Sequence, residues 1–145
     1  MNTINSMKLS FISKSANESF ARAAVAAFLL PLDPTVAEIA DVKTAVSEAV
    51  TNAIVHGYEG TRGMVTMSAR IDGQMLSIRI SDQGKGIADI QQAMEPFFTT
   101  HPEQERSGMG FAVMQTFMDE VQVHSTPGSG TQVYLRKCIA SEAMH

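Results

Sequence analysis

The chain has 145 residues, 44% of them hydrophobic and 18% charged, with a net charge of −4. That length suits one domain spanning 1–145 with one substantial core, and an acidic balance without any basic run argues against direct nucleic-acid binding. No apolar run approaches the ~18–20 residues of a membrane-spanning helix, and the N-terminal MNTINSMKLSFISKS lacks the apolar segment of a secretory signal.

Residues 7–12 (MKLSFI) alternate and predict a first strand. Asn17 is the expected N-cap of a helix running to about Leu30, closed by Pro31. Asp33-Pro34 then reads as an N-cap followed by proline in the first turn of a second helix. That helix should run to about Val55 and stop at His56-Gly57, with Gly57 in the left-handed conformation. MVTMSARI and QMLSIRIS alternate with period two around Asp72-Gly73, a hairpin signal. A Gly-rich loop over Asp82–Gly86 leads to a short helix expected around 88–94 and a long loop over 95–110. FAVMQTFMDE reads as a further helix, and EVQVHS and TQVYLRK as a final hairpin around Pro127-Gly128-Ser129-Gly130. Residues 139–145 are expected to fray. Because strands and helices do not alternate regularly and two hairpins impose antiparallel pairing, the fold class is α+β. The expected architecture is a two-layer sandwich with a mixed, mainly antiparallel sheet and helices on one face. A single cysteine, Cys138, permits no internal disulfide and suits a reducing cytoplasm, and the four histidines lack zinc-ligand spacing.

Four stretches carry chemistry. In SEAVTNAIVHG (47–57), at about 100° per residue, Val42, Val46, Ala49, Val50 and Ala53 make an apolar face, while Glu48, Asn52 and His56 form a polar column on its flank. Ala45 and Ala49 beside the column are small enough to leave room for a ligand. The column fits a solvated flank with His56 at the helix end. It equally fits oxygen donors for Mg²⁺, with Glu48 able to take a proton from a nucleophile. Asp82-Gln83-Gly84-Lys85-Gly86 follows a strand directly. Its glycines let backbone approach a flat ligand, and its carboxylate can accept from an exocyclic amine such as that of adenine; an ordinary strand-to-loop turn has the same pattern. Ser107-Gly108-Met109-Gly110 opens a helix, where free N–H groups suit phosphate, although a flexible loop entering a helix reads alike. Gly128-Ser129-Gly130-Thr131 alone is a hairpin turn.

Taken in this order and spacing, Glu-x-x-x-Asn, Asp-x-Gly-x-Gly, a long loop ending Gly-x-Gly, and Gly-x-Gly-Thr closely resemble the Bergerat ATP-binding fold of gyrase, histidine kinases and MutL. The resemblance covers essentially the whole chain. The stretches from Asn17 to Tyr58 and from Pro96 to Phe111 narrow it to the sporulation anti-sigma factors of endospore-forming bacteria, which are ATP-dependent serine kinases of their anti-anti-sigma partners. Stress-response anti-sigma kinases share the four motifs, and a sigma-binding module shaped by ATP without phosphoryl transfer is a further alternative.

The resemblance implies a role for each matching residue, with ATP, ADP and Mg²⁺ as ligands. Asn52 would coordinate Mg²⁺, Asp82 would read the adenine amine, Gly84 and Gly86 would border the base, and Thr131 would support it. Residues 95–110 would be the ATP lid, with Thr99, Ser107, Gly108 and Gly110 on the nucleotide and Arg106 either at the γ-phosphate or solvated. Glu48 would be the general base, and His56 a helix-end residue. On the first helix, Phe20, Ala24, Ala27 and Phe28 are expected to pack on the sheet, and Arg22, Val25 and Leu29 to form a nearly opposite stripe. That stripe suits a partner surface or packing on a neighbouring helix. The resemblance assigns Arg22 to binding of the sigma factor and of the anti-anti-sigma protein, and implies a homodimer.

Overall fold

The computed structural model describes residues 4–58, 61–87 and 110–139. Five strands form one sheet: β1 (Ile4–Ile12), β2 (Met64–Asp72), β3 (Met75–Asp82), β4 (Glu120–Thr126) and β5 (Gly130–Cys138), in the spatial order β1-β2-β3-β5-β4. Every described pairing is antiparallel, so the mainly antiparallel expectation holds with no parallel pair among the described residues. Three helices, α1 (Ala16–Leu29), α2 (Val36–Asn52) and α3 (Gly110–Phe117), cover one face, with α2 packed between α1 and α3. The helix expected at 88–94 lies outside the described residues.

Strand periodicity sorts the two faces. Val65, Met67, Ala69 and Ile71 on β2, Leu76, Ile78 and Ile80 on β3, and Val133 and Leu135 on β5 are buried toward the helices. Ser68, Arg70, Ser77, Arg79 and Arg136 occupy the alternate, uncovered positions. The helices answer with Ala21, Val25, Leu29, Val42, Val46, Val50 and Met114, all fully buried. Deleting a side chain such as Leu29 from this core would cost about 2–5 kcal/mol.

Local details depart from the expected caps. Asn17 does not cap α1; its Nδ2 donates to Ile12 O at 2.8 Å, and Ser15 stands at the cap without a side-chain bond. Asp33-Pro34 does not start α2 either. A 3-10 turn over Leu30–Leu32 precedes it and Asp33 is left-handed (φ 55°). The start falls at Thr35, where Thr35 Oγ1 accepts from Glu38 N at 3.1 Å and Glu38 Oε1 accepts from Thr35 N at 2.9 Å. This reciprocal pair satisfies two otherwise orphaned donors, which the Asp33-Pro34 start would not. At the other end, α-helical bonding stops at Asn52 and a π-helical turn runs over Ala53–Gly57, closed by Tyr58 N–H to Ala53 O at 3.1 Å. Gly57 is not left-handed, since the positive-φ glycines are Gly73, Gly86, Gly128 and Gly130.

Two further expectations are corrected. On α1, Val25 and Leu29 are core, while Phe20 is 54% exposed and Ala27 also faces outward. Ala21, Val25 and Leu29, at i, i+4, i+8, line up against α2, so the neighbouring-helix alternative for Val25 and Leu29 holds. Of the face expected on the sheet, Ala24 and Phe28 pack at the core's edge, and Phe20 and Ala27 do not. Ile139 does not fray: it is fully buried and its N–H donates to Gln74 O at 2.8 Å.

Candidate functional site

The inward phase of β3 that buries Leu76, Ile78 and Ile80 also turns Asp82 toward the helix layer. Register places Asp82 opposite Thr131 on β5, and Thr131 opposite Ser125 on β4. Asp82 and Thr131 are both buried. Burial pushes the Asp82 carboxyl up from the ordinary carboxylate range, a shift opposed by hydrogen bonds from the Gly84 and Thr131 backbone N–H groups. The Gly84 bond measures 2.9 Å to Oδ1.

The loop after Asp82 is fixed against its surroundings by close backbone approach. Lys85 N–H donates to Gly57 O at 2.8 Å, and Gly128 N–H to Lys85 O at 2.6 Å. A Cβ on Gly84 would stand 1.9 Å from Gly57 O, and one on Gly86 would stand 2.3 Å from Thr126 O. Both positions therefore require glycine, Gly86 also for its φ of 79°. Tyr58, buried at the end of the π turn, donates its hydroxyl to Met64 O at 2.6 Å and accepts from Gln83 N–H at 2.9 Å.

The other end of the site lies on α2. Glu48 and Asn52 are half-buried and one turn apart. Gly110, the first residue of α3, sits against both: a Cβ there would lie 3.1 Å from Asn52 Nδ2 and 3.5 Å from Glu48 Oε2. Asn52 Nδ2 is buried with no hydrogen-bond partner among the described residues. A buried amide N–H without a partner is costly, so this donor is poised for an incoming acceptor oxygen such as that of a phosphate. Turning the amide over would present the carbonyl to a cation instead. His56 lies half-buried within the π turn. Ala45 and Ala49 are buried in the core rather than lining a space for ligand.

Glu48, Asn52 and Gly110 thus converge, as do Asp82, Gly84, Gly86 and Thr131, and the π turn connects the groups. Thr99, Arg106, Ser107 and Gly108 lie outside the described residues, as does the 95–110 lid apart from Gly110. Arg22 is on α1, where its Nη1 lies 3.7 Å from the buried Glu18 Oε1; Glu18 also accepts from the Ser47 hydroxyl on α2. Sequence reasoning missed three contributors. Gly57 reads as a helix stop yet serves close approach, and Tyr58 and Ser125 sit outside every motif, with partners visible only in three dimensions.

A buried carboxylate beside two required glycines, joined through the π turn to a Glu-Asn pair that lies against the first glycine of a helix, suits a nucleotide-binding ATPase domain. The histidine kinase-like ATPase domain family model matches residues 13–137, and the chain belongs to that family of ATP-binding domains. Within it, the chain falls among the anti-sigma F factors. It is 61% identical to the Anti-sigma F factor of a Thermoanaerobacter species, over 98% of this chain and 99% of that one. Identity to the Anti-sigma F factor of Caldanaerobacter subterraneus subsp. tengcongensis is 60%, over 93% and 94% of the two chains. In fold, the RsbU and RsbW domains of a Mycobacterium tuberculosis protein align with a TM-score of 0.68 at 18% identity, over 93% of this chain and 32% of that one.

Proposed function

We propose that this chain is an anti-sigma factor that captures sporulation sigma factor F in an ATP-dependent manner and phosphorylates an anti-anti-sigma factor on serine, as a protein serine/threonine kinase. The observation that carries the reading is the unpaired, buried Asn52 Nδ2, with Glu48 one turn away and Gly110 against both. A phosphate-bound Mg²⁺ takes one or two protein oxygens beside those of the nucleotide, so the Asn52 carbonyl fits it without a protein cage. Among the described residues no three His, Cys, Asp or Glu side chains gather into such a cage.

In this reading Asp82 accepts from the adenine amine of ATP or ADP, Gly84 and Gly86 border the base, and Thr131 supports it. Thr99, Arg106, Ser107, Gly108 and Gly110 serve the phosphates as the lid. In the transfer, the partner's serine oxygen bonds to the γ-phosphorus, the bond from that phosphorus to the β,γ-bridging oxygen breaks, and ADP leaves. The serine proton passes to Glu48. Catalysis is then mainly positioning and charge neutralisation. Arg22 contributes to the partner surface, beside an exposed apolar stretch of Phe20, Ala23 and Ala27 on α1 and Leu30 in the turn that follows it. The protein acts as a cytoplasmic homodimer, residues 1–145 forming one domain; no described helix is long and apolar enough to cross a membrane.

The test is incubation with labelled ATP and candidate anti-anti-sigma proteins, followed by phosphosite mapping. Label on one partner serine is the expected result. ATP-dependent sigma capture without transfer to any partner would make the chain a binding module instead, and transfer only to stress-response partners would place it with the stress-response kinases.

A further inference from the structure

Ser125 belongs to none of the four motifs, yet its hydroxyl meets three groups at the end of the site. Ile87 N–H donates to Ser125 Oγ at 2.7 Å. Ser125 Oγ donates to Gly130 O at 3.0 Å, and it lies 2.9 Å from Thr131 Oγ1. A hydroxyl has one proton and two acceptor lone pairs. With the Ser125 proton on the Gly130 carbonyl and one lone pair taken by Ile87 N–H, the contact with Thr131 is satisfied when Thr131 donates. The Thr131 proton is therefore directed at Ser125, and the lone pairs of its oxygen are what it can offer a ligand.

Asp82 stands directly opposite Thr131 in the strand register, and as a carboxylate it also offers acceptors. We propose that Ser125 is a specificity-determining positioning residue. By taking the Thr131 proton, it leaves the base end of the site presenting acceptors, which receives the 6-amino group of adenine and opposes the 6-carbonyl of hypoxanthine or guanine. A site built for a hydrogen-bond donor rejects the acceptor analogue because polar groups are left unpaired. This rests on the reading of Asp82 as the group that meets adenine.

Calorimetry with ATP, inosine triphosphate and purine riboside triphosphate tests it: purine riboside differs from adenosine only in lacking the 6-amine, and inosine carries a 6-carbonyl together with an N1–H. In Ser125→Ala the Thr131 hydroxyl is free to donate, so the preference for ATP over inosine triphosphate should fall about tenfold, the worth of one polar mismatch. Ser125→Thr, which keeps the hydroxyl, should restore it. Equal loss of affinity for all three nucleotides, or an unchanged ratio, would overturn the assignment, as would Ser125→Thr behaving like Ser125→Ala. The wild type supplies an independent measurement that needs no variant to fold. An acceptor-lined end should bind ATP, which brings the 6-amine donor, more tightly than the 6-hydrogen nucleotide, and equal affinities defeat the proposal. Asp82→Asn separates the two levels. If it leaves the ATP preference intact, the adenine reading itself fails; if it abolishes the preference while Ser125→Ala does not change it, only the role of Ser125 fails.

Discussion

The backbone of Gly57 rests against the carboxylate of Asp82: a Cβ on Gly57 would stand 2.9 Å from Asp82 Oδ1 and 3.0 Å from Cγ. Because φ at Gly57 is not positive, alanine suits the backbone there and only the contact forbids it. Gly57→Ala should therefore fold, with stability changed by less than about 1 kcal/mol, while the displaced carboxylate lowers ATP affinity about tenfold. Urea melts and calorimetry on the same samples check both halves. A large stability loss with normal ATP affinity would mean that Gly57 matters as a helix stop.

Asn52 and Glu48 should fail in different ways. Asn52→Ala removes the proposed metal partner, so ATP affinity should lose its Mg²⁺-dependent part. Glu48→Gln keeps shape and greatly lowers basicity, so Mg²⁺–ATP should still bind. Single-turnover phosphorylation of the anti-anti-sigma protein should then slow by about 10²–10⁴-fold, the usual worth of a general base. Such a variant would hold sigma and fail to inactivate its antagonist. Wild-type transfer by Glu48→Gln would make Glu48 a structural or water-holding residue.

Asp82 gives the protein a pH signature. Its pKa is raised in the folded state, chiefly by burial, so the folded protein holds that proton more tightly than the unfolded chain. Its contribution to stability is then fully present below the unfolded pKa and is lost as pH rises through the folded one. Ionised Asp82 is also the stronger acceptor for the adenine amine, so ATP affinity should weaken on acidification at a higher pH than an ordinary aspartate would give. The ATP affinity of the wild type compared with Asp82→Asn across pH 4–7, a range set around about 4 for a free carboxylate, isolates the effect. Parallel curves would show that this proton is not coupled to binding.

Much of this layout is legible in the chain. Period-two alternation and Asp72-Gly73 locate β2 and β3, and the apolar positions of α2 from Val42 to Ala53 match its buried face. The errors share a physical cause. A cap read from the single residue Asp33 loses to Thr35, which exchanges two bonds with Glu38. The apolar face Phe20, Ala24, Ala27 and Phe28 points inward by sequence alone, yet close packing on α2 selects Ala21, Val25 and Leu29. In the site, Asp82, Asn52 and the glycines stand out by motif. Gly57, marked locally only as a helix stop, and Tyr58 and Ser125, outside the four motifs, act through partners distant in sequence.

The corrected orientation of α1 separates two kinds of variant. Arg22 is partly exposed and tied only loosely, at 3.7 Å, to Glu18, so Arg22→Glu should weaken sigma binding and leave ATP affinity and stability nearly unchanged. Leu29→Ala, in what the sequence suggested was the same stripe, should instead cost about 2–5 kcal/mol of stability with no specific effect on sigma once the protein is folded. Pull-downs alongside urea melts distinguish them. Wild-type sigma retention by Arg22→Glu would remove Arg22 from the partner surface.

The π turn over Ala53–Gly57 is a helical turn holding one residue more than α-helical bonding needs. That surplus sets the phase of everything after it. If the turn tightened into α-helix with all its residues kept, Gly57 and Tyr58 would swing by about 100°, away from Asp82 and Gln83. Excising one residue, Val55 for instance, would instead leave them in phase by making Tyr58 N–H to Ala53 O an ordinary α-helical bond. A regular helix of the same length would make a worse binding site, so the wide turn that spoils the regularity of α2 is what keeps the two ends of the nucleotide site in step.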